Sequence, residues 1–427
     1  MSAGLPATLR LYRAATAAFG PFAGMFLARR ERRGKEDAAR KPERLGFAGR
    51  ARPEGRLCWL HGASVGEAVT ILPVAERLAR EGHHILMTTG TVTSANLMAQ
   101  RLPPGAIHQF VPLDVPAFVR RFLAHWQPDL AVFAESELWP TMIGEVKAAG
   151  IPLALVNGRM SPRSFRRWRM APRTIGTLLN SFDLCAAQSA ADGARFTALG
   201  ARRVMATGNL KFDTPPPPAD AGRLEALRAA IGDRPLWLAA STHAGEEALA
   251  GSAHQALKAR FPGLLSVVVP RHPDRGAAIE AELAGRGLTC RLRSRDGLPD
   301  EDTDVYIADT VGELGLFYRL ARIVFVGKSL VGRGGQNPVE PAKLGASVLH
   351  GPFVHNFVEA YGAFDAMGGA ITVRDGEELT TQVGRLLGDA DAVAHLARTG
   401  AEAVASLSGA LDRTMQALLP LVANEAP

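Results

Sequence analysis

The sequence predicts an α/β protein of two domains, each built on a parallel sheet, behind an N-terminal membrane-anchoring helix. Three observations predict it. Short apolar runs alternate with amphipathic helical stretches from residue 57 onward, the pattern of strands joined by crossover helices. The run Pro215-Pro216-Pro217-Pro218 divides that series in two. An uncharged stretch, residues 14–28, lies between Arg13 and a basic cluster beginning at Arg29.

The elements follow in order. Residues 14–28 carry Phe19, Phe22, Met25, Phe26 and Leu27 but are broken by Gly20-Pro21, and 15 residues are fewer than the roughly 20 a perpendicular span needs. A signal peptide would have such an apolar length, but Arg29-Arg30-Glu31-Arg32-Arg33 stands where a small-residue cleavage site belongs. An interfacial anchor on the cytoplasmic face is therefore expected, ahead of a spanning signal-anchor or an ordinary basic helix. Strands are predicted at 57–60, 85–87, 130–133 and 153–156, with helices at 68–79 and 92–100. A second series follows at 236–239, 265–269, 305–307, 323–326 and 347–349. Runs so continuously apolar suit strands covered on both faces. Four prolines fit neither sheet nor helix, so they mark a stiff linker. The resulting division is an anchor over 1–40, a first domain over 41–213, a Pro-rich linker over 214–222 and a second domain over 223–427. Two open α/β sheets so joined would face a cleft at the carboxyl ends of their strands.

Composition excludes several classes. With 47% apolar and 21% charged residues, the 427-residue chain is neither disordered nor fibrous. Its net charge of +7 sits wholly in residues 1–50, which hold eleven basic and four acidic groups. The neutral remainder argues against a nucleic-acid groove. Cys58, Cys185 and Cys290 are far apart, so neither a disulfide framework nor a zinc knuckle is indicated.

Three motifs invite other readings. Gly62-Ala63-Ser64-Val65-Gly66 matches the G-x-S-x-G nucleophile elbow, but it follows the first strand of the α/β region, leaving no upstream loop to supply the second oxyanion donor. Gly327-Lys328-Ser329 resembles the tail of a phosphate loop, yet Arg322 stands where its leading glycine is required. Asp302-Thr303-Asp304 resembles a metal-binding D-x-D but lies in an acidic loop before a strand, where a solvated turn is the expected structure.

Other clusters carry more chemistry. His61 to Glu67 ends a strand and opens a helix, placing Glu67 in a first helical turn either as a dipole partner or as a general base. Glu135-Ser136-Glu137-Leu138-Trp139-Pro140 follows another strand at the same sheet edge. Lys211, in Gly208-Asn209-Leu210-Lys211-Phe212-Asp213, could reach an anion. In the second series, Arg271-His272 closes a strand, while Gly312-Glu313-Leu314 and Asn337-Pro338-Val339-Glu340-Pro341 open helices whose free N–H groups suit phosphate.

These blocks occur in an order that resembles the 3-deoxy-D-manno-octulosonic acid (Kdo) transferases of lipopolysaccharide synthesis. Arg44-Leu45-Gly46, Thr88-Thr89-Gly90-Thr91, Pro112-Leu113-Asp114-Val115-Pro116 and Val156-Asn157-Gly158-Arg159 with Ser161 extend the match over about residues 40 to 365. The resemblance implies a GT-B glycosyltransferase, two Rossmann-like domains facing a cleft, at the cytoplasmic face of the inner membrane. It implies inverting transfer of Kdo from CMP-Kdo to the lipid A disaccharide precursor, lipid IVA, with no metal and no cofactor. By the same resemblance Glu67 is the general base, and Glu137 and Lys211 assist charge development around the sugar. Arg271, His272, Gly312, Glu313, Leu314, Asn337, Pro338, Val339 and Glu340 would hold CMP. The implied partners are CMP-Kdo, the lipid A precursor and an anionic membrane surface, with no nucleic acid. Two other readings stay open: a serine hydrolase acting through Ser64, and a non-catalytic membrane-bound nucleotide-binding module.

Overall fold

Both series of apolar runs form parallel strands, and each series makes its own seven-stranded sheet. The computed structural model describes residues 4–331 and 334–423. It divides into one unit of Met1–Thr214 with Ser408–Pro427 and a second of Pro215–Leu407.

The first sheet holds β1 (Leu57–His61), β2 (His84–Thr89), β3 (Ile107–Phe110), β4 (Leu130–Ala134), β5 (Leu153–Gly158), β6 (Leu184–Ala187) and β7 (Val204–Ala206), in the order β3-β2-β1-β4-β5-β6-β7. The central strands β1, β4 and β5 are buried along their whole length. Alternate residues feed opposite layers: Leu57 and Trp59 join one core, Cys58 and Leu60 the other. The second sheet holds β8 (Leu236–Thr242), β9 (Leu265–Pro270), β10 (Cys290–Leu292), β11 (Val305–Ile307), β12 (Ile323–Val326), β13 (Ser347–His350) and β14 (Ala370–Thr372), in the order β10-β11-β9-β8-β12-β13-β14. Each sheet thus reverses its winding once, between β1 and β4 and between β8 and β12. Ligands of such sheets bind at that reversal, beyond the carboxyl ends of the strands.

Three boundaries differ from expectation. Residues 4–40 do not stand apart as a unit of their own: they are part of the first unit. Helices Ala7–Phe19 and Ala23–Glu31 bury Leu9, Ala23 and Leu27, the Tyr12 hydroxyl donates to Asp114 at 2.9 Å, and Arg13 pairs with Glu145 at 2.6 Å. Arg30, Arg40, Lys41 and Arg44 are also paired, with Glu36, Glu43 and Glu31 of the same segment, so these cations are bound into the fold while the net excess of the segment is left to its other basic residues. Among the described residues no helix is long and apolar enough to cross a membrane.

The expected linker 214–222 is also shorter. Pro215 onward belongs to the second unit, where the Pro217 carbonyl accepts from Arg319 at 2.6 Å, and helix Ala221–Ile231 begins inside the expected range. A proline run lacks N–H donors but keeps its carbonyls, which is what Arg319 uses. Finally, residues 408–427 do not belong with 223–407. Helix Ala410–Val422 lays Met415, Leu418 and Val422 into the first unit's core, and the Asp213 carboxylate accepts the N–H groups of Gly409 and Leu411 at 2.8 and 2.5 Å.

Asp114 is the corresponding fastener at the other terminus. Besides Tyr12, its carboxylate accepts the N–H groups of Thr141 and Met142 at 3.1 and 2.7 Å, capping helix Pro140–Ala148. Asp114→Ala is therefore expected to lose about 2 kcal/mol of stability, read as a lower urea midpoint by tryptophan fluorescence; an unchanged midpoint would show that the cap contributes nothing.

Candidate active site

At the winding reversal of the first sheet, β1 and β4 deliver three carboxylates to one edge. The chain leaves β1 through Gly62, where a Cβ would lie 2.8 Å from the Ala68 nitrogen. Glycine there lets helix Val65–Arg80 start directly over the strand end. Ser64 caps that helix reciprocally with Glu67: the Ser64 N–H donates to Glu67 Oε2 at 2.8 Å, and the Glu67 N–H donates to Ser64 Oγ at 3.4 Å. Beyond β4, Glu135 takes φ +50°, a left-handed conformation that a non-glycine residue adopts at a cost of about 1–3 kcal/mol. Lys211 Nζ lies 2.6 Å from Glu135 Oε1. The loop carrying Lys211 is held by Asn157, itself at φ +51°, whose Oδ1 accepts the Leu210 N–H at 2.9 Å. Glu137 meets the buried His61, whose Nε2 is 3.4 Å from its Oε2, and accepts from the Trp139 indole.

The environments of Glu67 and Glu137 drive them apart. Burial raises the Glu67 carboxyl above its ordinary value and the charge of Glu137 raises it further, while the Ser64 hydrogen bonds offset only part of this. Burial alone would raise Glu137 too, but His61, Trp139 and Glu67 outweigh it and hold that carboxyl below its ordinary value. Two nearby acids separated in this way suit one as a proton acceptor and the other as a standing anion. Lys211 joins the group through Glu135 rather than through Glu137.

All nine residues expected to hold CMP lie in the second unit, beyond the carboxyl ends of β9, β11 and β12. Arg271 and His272 are exposed there, and the His272 ring meets that of His243 edge-on at 5.7 Å. Glu313 precedes helix Leu314–Leu320, but Arg293, Arg223 and Thr310 engage its carboxylate at 3.0, 3.0 and 2.6 Å. The Arg293 guanidinium foremost among them holds it at about 2. What Gly312, Glu313 and Leu314 can offer a ligand is thus backbone. Asn337 Oδ1 accepts the Val339 N–H at 3.0 Å, and its Nδ2 donates to Glu340 Oε1 at 3.2 Å, with Pro338 and Val339 buried between them.

The motifs set aside have structural roles. Ser64 is a helix cap, and no histidine is among its hydrogen-bond partners in the described residues. The Asp304 carboxylate is taken by His254 and the Thr289 N–H at 3.1 and 3.0 Å. The amides of residues 328–331 point at the carboxylate of Glu246. Sequence reasoning missed Glu246 and Ser241, and it set Lys328 aside with the phosphate-loop resemblance. The signal was present: Ser241-Thr242-His243-Ala244-Gly245-Glu246 leaves β8 as His61 to Glu67 leaves β1, with a glycine and then an acid at a helix start.

Comparison with known proteins agrees with this architecture. Residues 39–214 match the family described as 3-deoxy-D-manno-octulosonic-acid transferase. The chain is 34% identical over 388 residues to the 3-deoxy-D-manno-octulosonic acid transferase of Haemophilus influenzae, covering 89% of this chain and 91% of that one. It is 33% identical over 420 residues to the Bordetella pertussis transferase of the same name, covering 96% and 98%. In fold it resembles a glycosyltransferase from Rickettsia africae, with a TM-score of 0.58 at 13% identity over 87% of this chain and 99% of that one.

Since Ser64 caps a helix, Ser64→Ala should cost about 1 kcal/mol of stability, and a fluorophosphonate probe should leave Ser64 of the wild-type protein unlabelled in a peptide map. Stoichiometric labelling there would restore the hydrolase reading.

Proposed function

The chain belongs to the 3-deoxy-D-manno-octulosonic acid (Kdo) transferases, glycosyltransferases by activity, and from that premise we propose that it transfers Kdo from CMP-Kdo to the lipid A disaccharide precursor, lipid IVA. The observation that carries the mechanism is the divergent pair Glu67 and Glu137 at the reversal of the first sheet. Glu67 removes the proton of the acceptor hydroxyl as that oxygen attacks the anomeric carbon of Kdo. The bond to the CMP phosphate breaks on the opposite face, so the configuration inverts in one displacement. Glu137 stays anionic and, with Lys211 nearby on Glu135, stabilises charge developing around the sugar. Arg271, His272 and the backbone around Gly312 and Asn337 hold CMP.

An anionic membrane surface, the cytoplasmic face of the inner membrane, is the proposed working place. Arg163, Arg166, Arg167, Arg169 and Arg173 are exposed on a segment that follows Arg159, whose N–H donates to the Glu135 carbonyl at 3.1 Å. Met170 on that segment is 79% exposed, and Leu11, Phe22 and Met25 of the N-terminal helices are exposed as well. Guanidinium groups beside apolar side chains suit phosphate headgroups at an interface.

Glu67→Gln should lower the transfer rate by about 10²–10⁴ while CMP binding stays close to wild type; wild-type turnover in that variant would remove Glu67 from the role. The acid limb of the rate profile should report the Glu67 carboxyl, since the base must be ionised. Glu137→Gln removes the charge that raises Glu67, so the residual activity of that variant should persist to lower pH than the wild-type profile. A limb that stays put or moves up would mean that another group titrates.

A further inference from the structure

In the second unit, one buried carboxylate ties together the loops at the winding reversal. Glu246 is 1% exposed, and its two oxygens accept five main-chain N–H groups: His243 at 2.9, Lys328 at 2.7, Ser329 at 3.1, Leu330 at 3.0 and Val331 at 3.4 Å. The fit admits only glycine at 327, where a Cβ would lie 2.7 Å from the Ser241 carbonyl oxygen and 2.8 Å from Glu246 Oε2. Lys328 next to it is forced to φ +58° and Ser241 to φ +55°. Such conformations persist where the surroundings over-determine them, and they concentrate at functional sites. Here the surroundings are the Glu246 carboxylate on the Lys328 amide and the Gly335 N–H on the Lys328 carbonyl, at 2.8 Å.

Lys328 therefore stands between two segments already assigned to the nucleotide. On one side, its charge acts on the His243 imidazole, whose ring meets that of His272. On the other, its carbonyl is bonded to Gly335, two residues before Asn337. Its side chain is half-buried, and among the described residues no carboxylate is ion-paired with it. A half-buried ammonium near the His243 imidazole and without an ion-pair partner is costly unless an anion joins it.

We propose that Lys328 is a further phosphate-binding residue of the nucleotide site, with Glu246 as the positioning residue that fixes the loop carrying it. The inference rests on the CMP reading above. Inorganic geometry at this edge then divides the labour: Lys328 meets the phosphate as a point charge, while Glu246 meets no ligand.

The test compares CMP with cytidine, which lacks the phosphate, by calorimetric titration of the full chain. Lys328→Met keeps the aliphatic stem. It should weaken CMP by about tenfold or more, as expected for a lost charged hydrogen bond, while leaving cytidine unchanged; Lys328→Arg should recover most of the loss. Lys328→Gly, which accepts the backbone conformation without strain, should show the same selective loss, so a folding defect in the Met variant cannot imitate it. Equal weakening of CMP and cytidine would give Lys328 a structural role only and overturn the proposal, as would unchanged CMP affinity. A wild-type protein that does not prefer CMP to cytidine would overturn the donor reading and this inference with it.

Discussion

A carboxylate that accepts main-chain N–H groups is the interaction on which the arrangement of loops depends. Asp114 caps helix Pro140–Ala148 and holds the N-terminal helix; Asp213 starts the C-terminal helix; Asp192 accepts the Met160 N–H at 2.8 Å; Glu246 gathers five amides. Parallel strands end abruptly, and the N–H groups of the turns that follow have no ladder partner. An ionised acceptor is about twice as effective there as a neutral one. This explains why acids recur in loops that a charge count treats as solvated surface.

The same geometry has opposite outcomes in the two units. Glu67 and Glu246 each accept the N–H of a residue three positions earlier, Ser64 at 2.8 Å and His243 at 2.9 Å. Four more amides from the loop after β12 surround Glu246 and satisfy it. In the first unit the loop after β4 brings Glu135 and Glu137 instead, so Glu67 faces like charge under partial burial and is driven toward its proton. The identity of the residues after the strand on the far side of the reversal decides whether the acid is a fastener or a base.

How much of this was legible in the sequence depends on burial. The central strands announced themselves as apolar runs because both faces are covered: β1, β4, β5, β8, β9 and β12 were all located. The four sheet-edge strands β3, β7, β10 and β14 were not, since β3 carries His108 and Gln109 and the others have three residues each; β6, Leu-Cys-Ala-Ala, is too short and small to stand out. Glu67, Glu137 and Lys211 were named from their motifs, but the ion pair of Lys211 with Glu135 depends on Asn157 supporting a loop 53 residues later, which no local pattern reveals. The return of helix Ala410–Val422 to the first unit was likewise hidden, because its only sequence mark is an apolar face equally suited to either core.

The basic excess changes meaning once its partners are known. A formal +7 in residues 1–50 reads as one docking patch, yet Arg13 pairs with Glu145, Arg30 and Arg44 share Glu36, Arg40 pairs with Glu43 and Lys41 with Glu31. Such pairs contribute little to attraction at a distance, because a partner's opposite charge within 4 Å cancels the field over a Debye length of about 8 Å. Within residues 1–50 the exposed cations without an ion pair among the described residues are Arg10, Arg29, Arg32, Arg33, Lys35 and Arg50, and a further five exposed arginines lie from Arg163 to Arg173. The second group is neutral in the N-terminal count because it lies elsewhere in the chain, but it begins one short step from Arg159 and the strained turn of Glu135. Charge free to act outward is therefore best sought by subtracting the pairs the fold consumes, and here the subtraction leaves six exposed cations in residues 1–50 beside a second exposed group of five arginines in residues 163–173.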